Sequence, residues 1–131
     1  MKEQVEYWVK KVNEEYGFQD RNAYCIEFFT DILKSGDFIP FFFSWGYLIL
    51  NVGLDMWGEK FLGVVSFSID KKYRKNPKYF LKIQKLIDDV AREEKVNYIE
   101  QGSHYNEKLN NFLEKHGYKK SIYRRYINGK E

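Results

Sequence analysis

The chain has 131 residues, 44% hydrophobic and 19% aromatic, enough to bury a core in one domain of ordinary size and too apolar for a disordered chain. Its net charge of +3 comes from 22 basic and 19 acidic residues interleaved along the sequence, a balance that does not call for a nucleic-acid partner. The single cysteine, Cys25, has no second thiol to pair with and fits a reducing compartment, and its place among apolar residues reads as packing rather than chemistry.

Val5, Trp8, Val9, Val12 and Tyr16 recur at helical spacing, and Gly17 is placed to end that first helix. Asp20 is the predicted cap of a second helix reaching about Lys34, with Ala23, Ile26, Phe29, Ile32 and Leu33 turned inward. Ser35-Gly36-Asp37 stops it. Three strands are expected next, over residues 38–45, 47–54 and 60–69, with Pro40 marking an edge strand. Strict alternation in the third puts Phe61, Val65, Phe67 and Ile69 on one face and Leu62, Val64, Ser66 and Ser68 on the other. Apolar residues on both faces make it central.

A basic loop, residues 70–76, leads to Pro77, which suits the first turn of a helix. Tyr79, Ile83, Leu86, Ile87 and Val90 form the inward stripe of that helix, and Asp88 is spaced to pair with Arg92. A short strand is predicted over 96–101 and a loop over 102–105. A last helix is capped by Asn106, with Leu109, Phe112 and Leu113 inward and Gly117 at its end, and a final strand follows over 118–127. The order is α+β in a single domain spanning residues 1–131, with a central mixed, mostly antiparallel sheet flanked by helices and a parallel strand–helix–strand crossover.

The run Asn106-Glu107-Lys108-Leu109-Asn110-Asn111-Phe112-Leu113-Glu114-Lys115-His116-Gly117-Tyr118 resembles the Asn-x-x-Ala-x-x-Phe-Tyr-Glu-Lys-x-Gly-Phe/Tyr signature of the GNAT N-acetyltransferases. Tyr73-Arg74 after a strand, and Val90-Ala91-Arg92-Glu93-Glu94-Lys95-Val96 closing a helix, are similar to further GNAT segments. The stretch from Gly117 to Tyr123 is also similar to short GNAT-like proteins of bacteriophages. The resemblance implies a GNAT-like (acyl-CoA N-acyltransferase) fold, a splayed V between neighbouring strands, acetyl-CoA as acetyl donor, and direct attack by a primary amine whose identity the sequence leaves open.

It also implies a diphosphate site at a helix amino end, which falls here on Arg74, Lys75, Asn76, Lys78 and Tyr79, with Asn106 as a further cofactor contact. Two positions depart from the family pattern. The family's Arg/Gln-x-x-Gly-x-Gly/Ala loop lets backbone N–H groups close on the phosphates beside about half a positive charge of helix dipole. Here that loop has no glycine, and Pro77 removes one donor. The tyrosine that often reprotonates the thiolate falls on Leu113. Ser103, His104 and Tyr105, in the preceding loop, are the nearest replacements, His104 having the fitting intrinsic pKa. Glu59, Asp70 and Glu100 read as surface carboxylates, and no general base stands out. These departures keep a second reading open, a catalytically inactive GNAT-fold binding or virion-associated structural protein.

The stretch 118–126 mixes aromatic and basic residues, but strand alternation splits them between two faces, so it reads as a charged edge rather than a nucleic-acid platform. No metal-ligand spacing and no nucleotide-binding loop is present. Phe41, Phe42, Phe43, Trp45 and Trp57 fill a core or, in part, an interface of a homodimer or with phage-particle proteins. No apolar run nears the roughly 20 residues of a membrane span, and no leader-like segment follows Met1. The expected location is cytoplasmic, with the virion as alternative.

Overall fold

A computed structural model describes residues 1–101 and 107–118, and the chain divides into two compact units, Met1–Gln101 and Gly102–Glu131. The first unit opens with α1 (Lys2–Tyr16), closed as expected by Gly17 in the left-handed conformation at φ 76°. Tyr16 is exposed rather than inward. A 3-10 turn, Gln19–Arg21, precedes α2 (Asn22–Lys34). Asp20 lies inside that turn and does not cap α2; the residue before the helix is Arg21, with no side-chain cap. Ala23 is exposed, whereas Leu33 is buried and Ile26, Phe29 and Ile32 are partly buried.

Strands β1 (Phe38–Phe42), β2 (Gly46–Leu54), β3 (Lys60–Ile69) and β4 (Tyr98–Glu100) form one sheet in the order β1-β2-β3-β4. The first two pairings are antiparallel and β3 pairs with β4 in parallel. Pro40 sits on the edge strand, where its missing N–H leaves no gap in an inner ladder. The β1–β2 turn is tight because Gly46 lies against β3. A Cβ there would stand 2.5 Å from the carbonyl oxygen of Ser68, so no side chain fits.

Helix α3 (Pro77–Glu94) crosses one face of the sheet. Leu48, Leu50 and Leu62 meet Ile83 and Ile87 there, all fully buried, each contributing about 1.5–3 kcal/mol through burial. Helices α1 and α2 cover the other face, where Val5, Val9 and Leu33 pack on Ile49 of β2. Phe41, Phe43 and Trp45 pack on the α3 side and Phe42 on the α1–α2 side, while Trp57 is exposed. Along α3, Asp89 rather than Asp88 takes the ion pairs, with Lys85 at 3.0 Å and Arg92 at 2.6 Å. Lys60 Nζ donates to the carbonyl of Glu94 at 2.6 Å, a cation at the helix's negative end. The N–H of Asn97 then donates to Lys60 at 2.7 Å and leads the chain alongside β3.

In the second unit, α4 (Glu107–Lys115) ends at Gly117, φ 90°, with the N–H of Tyr118 donating to Leu113 at 3.0 Å. Leu109 and Leu113 are buried. The predicted last strand lies, from residue 119 on, outside the described residues. Among the described residues no helix is long and apolar enough to cross a membrane.

Candidate active site

The site grows from an irregularity in β3. Val64 pairs with Leu50 and Ser66 with Ile49, which leaves Val65 as an extra residue without a partner in β2. Such a bulge bends a strand and re-aims its side chains. It overturns the expected alternation: Phe67 joins Leu62 and Val64 on the α3 face, where its ring lies 6.2 Å from Phe80. Ser66 turns to the α1–α2 face, and its hydroxyl meets the Tyr47 hydroxyl at 2.8 Å. Burial pushes the Tyr47 phenol above its ordinary range, the Ser66 bond opposing only in part, so Tyr47 keeps its proton at neutral pH.

Next to the bulge the described pairing with β4 ends. β4 pairs with β3 at Phe61, Leu62 and Gly63 only. Beyond Gly63, β3 continues to Ile69, paired among the described residues with β2 alone. Beyond Glu100 the chain is drawn to α3 by a two-way amide pair: Gln84 donates to Gln101 at 3.3 Å and Gln101 donates back at 3.0 Å. The described part of β4 thus ends while β3 runs on. Along residues 64–69 the edge of β3 away from β2 has no strand partner among the described residues. Glu100, exposed, ends the paired stretch.

The amino end of α3 lies past the end of β3. Asn76 caps it, its side chain accepting from the N–H of Lys78 at 3.1 Å, and the N–H of Tyr79 points back to the Asn76 carbonyl at 3.4 Å. Pro77 has no N–H. The donors that would cradle a phosphate are thus absent or engaged within the turn. Lys75 and Lys78 are exposed. The Tyr79 ring packs 5.1 Å from Trp45 and 4.9 Å from Tyr73, with the ammonium groups of Lys78 and Lys82 over it at 5.0 and 5.5 Å.

Arg74 is turned elsewhere. Its Nε donates to the carbonyl of Ile69 at 2.7 Å, and its guanidinium forms a two-pronged ion pair with Glu15 of α1. The bond from Arg74 holds the Glu15 carboxyl below the ordinary carboxylate range, burial only partly opposing it. One turn earlier on α1, Lys11 reaches Asp70 at 2.7 Å. Asp70 is buried, which corrects its reading as a surface carboxylate. Burial alone would raise its pKa, but the bonds from Lys11 and from the N–H of Lys72 outweigh that and lower it. Glu59 accepts from Asn97. Ser103, His104, Tyr105 and Asn106 lie outside the described residues. Among the described residues no cluster of His, Cys, Asp and Glu is placed to hold a metal ion.

No family model matches the sequence, and no curated protein matches it significantly. Solved structures do. An acetyltransferase of Trypanosoma brucei superposes with a TM-score of 0.72 at 12% identity, over 97% of this chain and 94% of its own. A protein of Clostridium acetobutylicum, described as a predicted acetyltransferase and solved with acetyl-CoA, reaches 0.69 at 10% identity over 98% and 92%. A ribosomal-protein-alanine N-acetyltransferase of Brucella melitensis reaches 0.64 at 11% identity over 95% and 93%. The chain has the GNAT acetyltransferase fold.

Within that fold, the sequence placed the helix amino end and its lysines but missed three things. The bulge left a trace, since Val64 and Val65 are apolar in succession and the alternation then resumes out of step. The partner of Arg74 left none, because Glu15 is 59 positions away. Nor did the Tyr47–Ser66 hydroxyl pair, which forms only once β2 and β3 are in register.

Proposed function

We propose that the chain is a GNAT-type N-acetyltransferase that moves the acetyl group of acetyl-CoA to a primary amine. The observation that carries this reading is the end of the described β3–β4 pairing at Gly63 and Glu100, beside the Val65 bulge, in a chain with this fold. An extended ligand arm with two amides suits the edge of β3 that is unpaired among the described residues, and the start of α3 beyond that strand suits an arm that ends in a diphosphate. Lys75 and Lys78, with the Asn76 turn and Tyr79, are the groups for that diphosphate, acting through side-chain charge in place of a glycine cradle. The amine nitrogen bonds to the thioester carbon, the carbon–sulfur bond breaks, the amine loses a proton and the thiolate gains one. Glu100, where the β3–β4 pairing ends, is the candidate to take the first proton. Ser103, His104 and Tyr105 are the candidates to supply the second, since Leu113 cannot.

A second reading, a GNAT-fold binding or virion-associated protein without turnover, is favoured by one observation: the donors at the start of α3 are already engaged by Asn76. The order of importance follows from magnitudes. A missing general acid costs about 10²–10⁴ in rate, whereas holding amine and thioester together supplies about 7–11 kcal/mol, so cofactor binding decides. Calorimetric titration with acetyl-CoA and with CoA tests this. We expect heat from both, and weaker binding in Lys78→Glu. No heat at millimolar ligand removes the transferase reading. Unchanged affinity in Lys78→Glu rejects this diphosphate position. Binding without turnover over a panel of amines selects the second reading.

A further inference from the structure

Two ion pairs tie α1 to the segment that joins β3 to α3. Lys11 and Glu15 stand four residues apart on one face of α1. Lys11 meets Asp70 at 2.7 Å, where the segment leaves β3. Both carboxylate oxygens of Glu15 accept from the guanidinium of Arg74, Nη2 at 2.7 Å. Arg74 Nε donates to the carbonyl of Ile69 at 2.7 Å, so one side chain bridges the end of β3 and α1. Each of its three nitrogens has a protein partner.

The polarity of the two pairs fixes the fit. A slip of α1 by one turn, in either direction, would set Lys11 against Arg74 or Glu15 against Asp70, like charge on like. A two-pronged arginine–carboxylate pair is also the geometry in which an exposed ion pair holds its partner firmly. Between the anchors the segment closes on its own backbone. The N–H of Tyr73 donates to Asp70 at 2.8 Å and that of Asn76 to Tyr73 at 3.2 Å. Asn76 then caps α3, with Lys75 and Lys78 on either side of the cap. The place of those lysines is therefore set from α1, through Arg74.

We propose that Glu15 and Arg74 are positioning residues of the diphosphate site. Glu15 holds Arg74, Arg74 fixes the segment 69–76, and the segment presents Lys75 and Lys78, while Arg74 itself does not touch phosphate. The inference rests on the transferase reading above, and it gives α1 a part in cofactor binding from outside the site. The rival arrangement is competition, in which Glu15 withholds from the diphosphate an arginine that binds it once released. The two differ in the sign of one substitution.

Glu15→Gln keeps the size of the side chain and removes its charge. Acetyl-CoA affinity, read by calorimetry on the full chain, is expected to fall about two- to fivefold, the range that an exposed ion pair accounts for. Acetyl-pantetheine, which lacks the diphosphate, is expected to bind both proteins equally, whereas a general loss of stability would weaken both ligands. Glu15→Asp keeps the charge with a shorter reach and is expected to lie between the two. Hydrogen exchange over residues 69–76 is expected to quicken in Glu15→Gln while β2 and β3 keep their protection. Tighter acetyl-CoA binding in Glu15→Gln overturns the proposal in favour of competition. Unchanged affinity, or an equal loss for acetyl-pantetheine, overturns it as well. If Glu15→Gln does not fold, Glu15→Asp decides by the same readings. No heat from acetyl-CoA with the unaltered chain removes the transferase reading and this proposal's ligand with it; unchanged exchange in a chain that binds acetyl-CoA removes this proposal alone.

Discussion

Asp70 does two jobs with one carboxylate. It receives the N–H of Lys72 at 3.3 Å, which starts the 3-10 turn after β3, and it holds Lys11 of α1 at 2.7 Å. Its own N–H donates to Trp45 at 2.7 Å, so the β1–β2 turn, the end of β3 and α1 meet at this residue. Its carboxyl is 6% exposed, and a buried charge that loses its partner is left uncompensated. Its folded pKa lies below the ordinary 3.8, so its contribution to stability is complete well above that value and is lost as pH falls through the folded pKa. Lys11 is shifted the other way, raised above 10.5 first by its bond to Asp70, so its share persists until pH rises past that value. Asp70→Asn should therefore cost about 1–3 kcal/mol across the neutral range. The gap to the unaltered protein should narrow below pH 3.8, as urea unfolding at a series of pH values would read. A constant gap down to the acid limit would mean that Asp70 acts through packing and not through charge.

At the level of elements, the bulge in β3 separates fold from function. Val65 is one residue more than the ladder needs, and without it Val64 and Ser66 would face Leu50 and Ile49 in unbroken succession. Phe67 would stay on the α3 face and Ser66 on the other. Deleting Val65 is thus expected to leave a folded protein with native circular dichroism, its melting point unchanged or higher. If acetyl-CoA lies along β3 as proposed, its binding should fall by at least about tenfold, because the strand no longer bends beside it. Unfolding of the variant would show that the bulge serves the core, and retained binding would show that the ligand does not lie along β3. The bounds of β3, the Gly17 stop of α1 and the Asn76–Pro77 start of α3 were legible because each rests on chemistry within a few residues. The face assignment of β3 failed where a single extra residue slipped the frame. Asp20 failed as a cap because the chain inserts a 3-10 turn before α2, a choice the local sequence does not mark. Lys75 in the basic loop and Lys78 just after Pro77 were legible as exposed cations around a helix start. The engagement of Arg74 by Glu15 was not, since it depends on where α1 comes to rest.

For the molecule as a whole, the proposed use of acetyl-CoA turns on what kind of grip a polyanion would find. A loop of backbone N–H groups holds phosphate through fixed, partly dry dipoles. This chain offers exposed ammonium groups instead, Lys75 and Lys78, on a protein of net charge +3. The two designs differ in their response to salt. Raising ionic strength from about 0.1 M to about 1 M shortens the screening length from roughly 10 Å to 3 Å, which removes most of the attraction between exposed charges. Exposed pairs are worth up to about 1 kcal/mol each, so two lysines limit the loss of acetyl-CoA affinity to about thirtyfold, with a few-fold as the lower expectation. Acetyl-pantetheine has the amide arm and lacks the diphosphate, so its affinity should barely change over the same range. Running both titrations in parallel isolates the diphosphate. If acetyl-CoA proves as insensitive to salt as acetyl-pantetheine, its phosphates lie against neutral donors and the lysines at the start of α3 have no part in holding them.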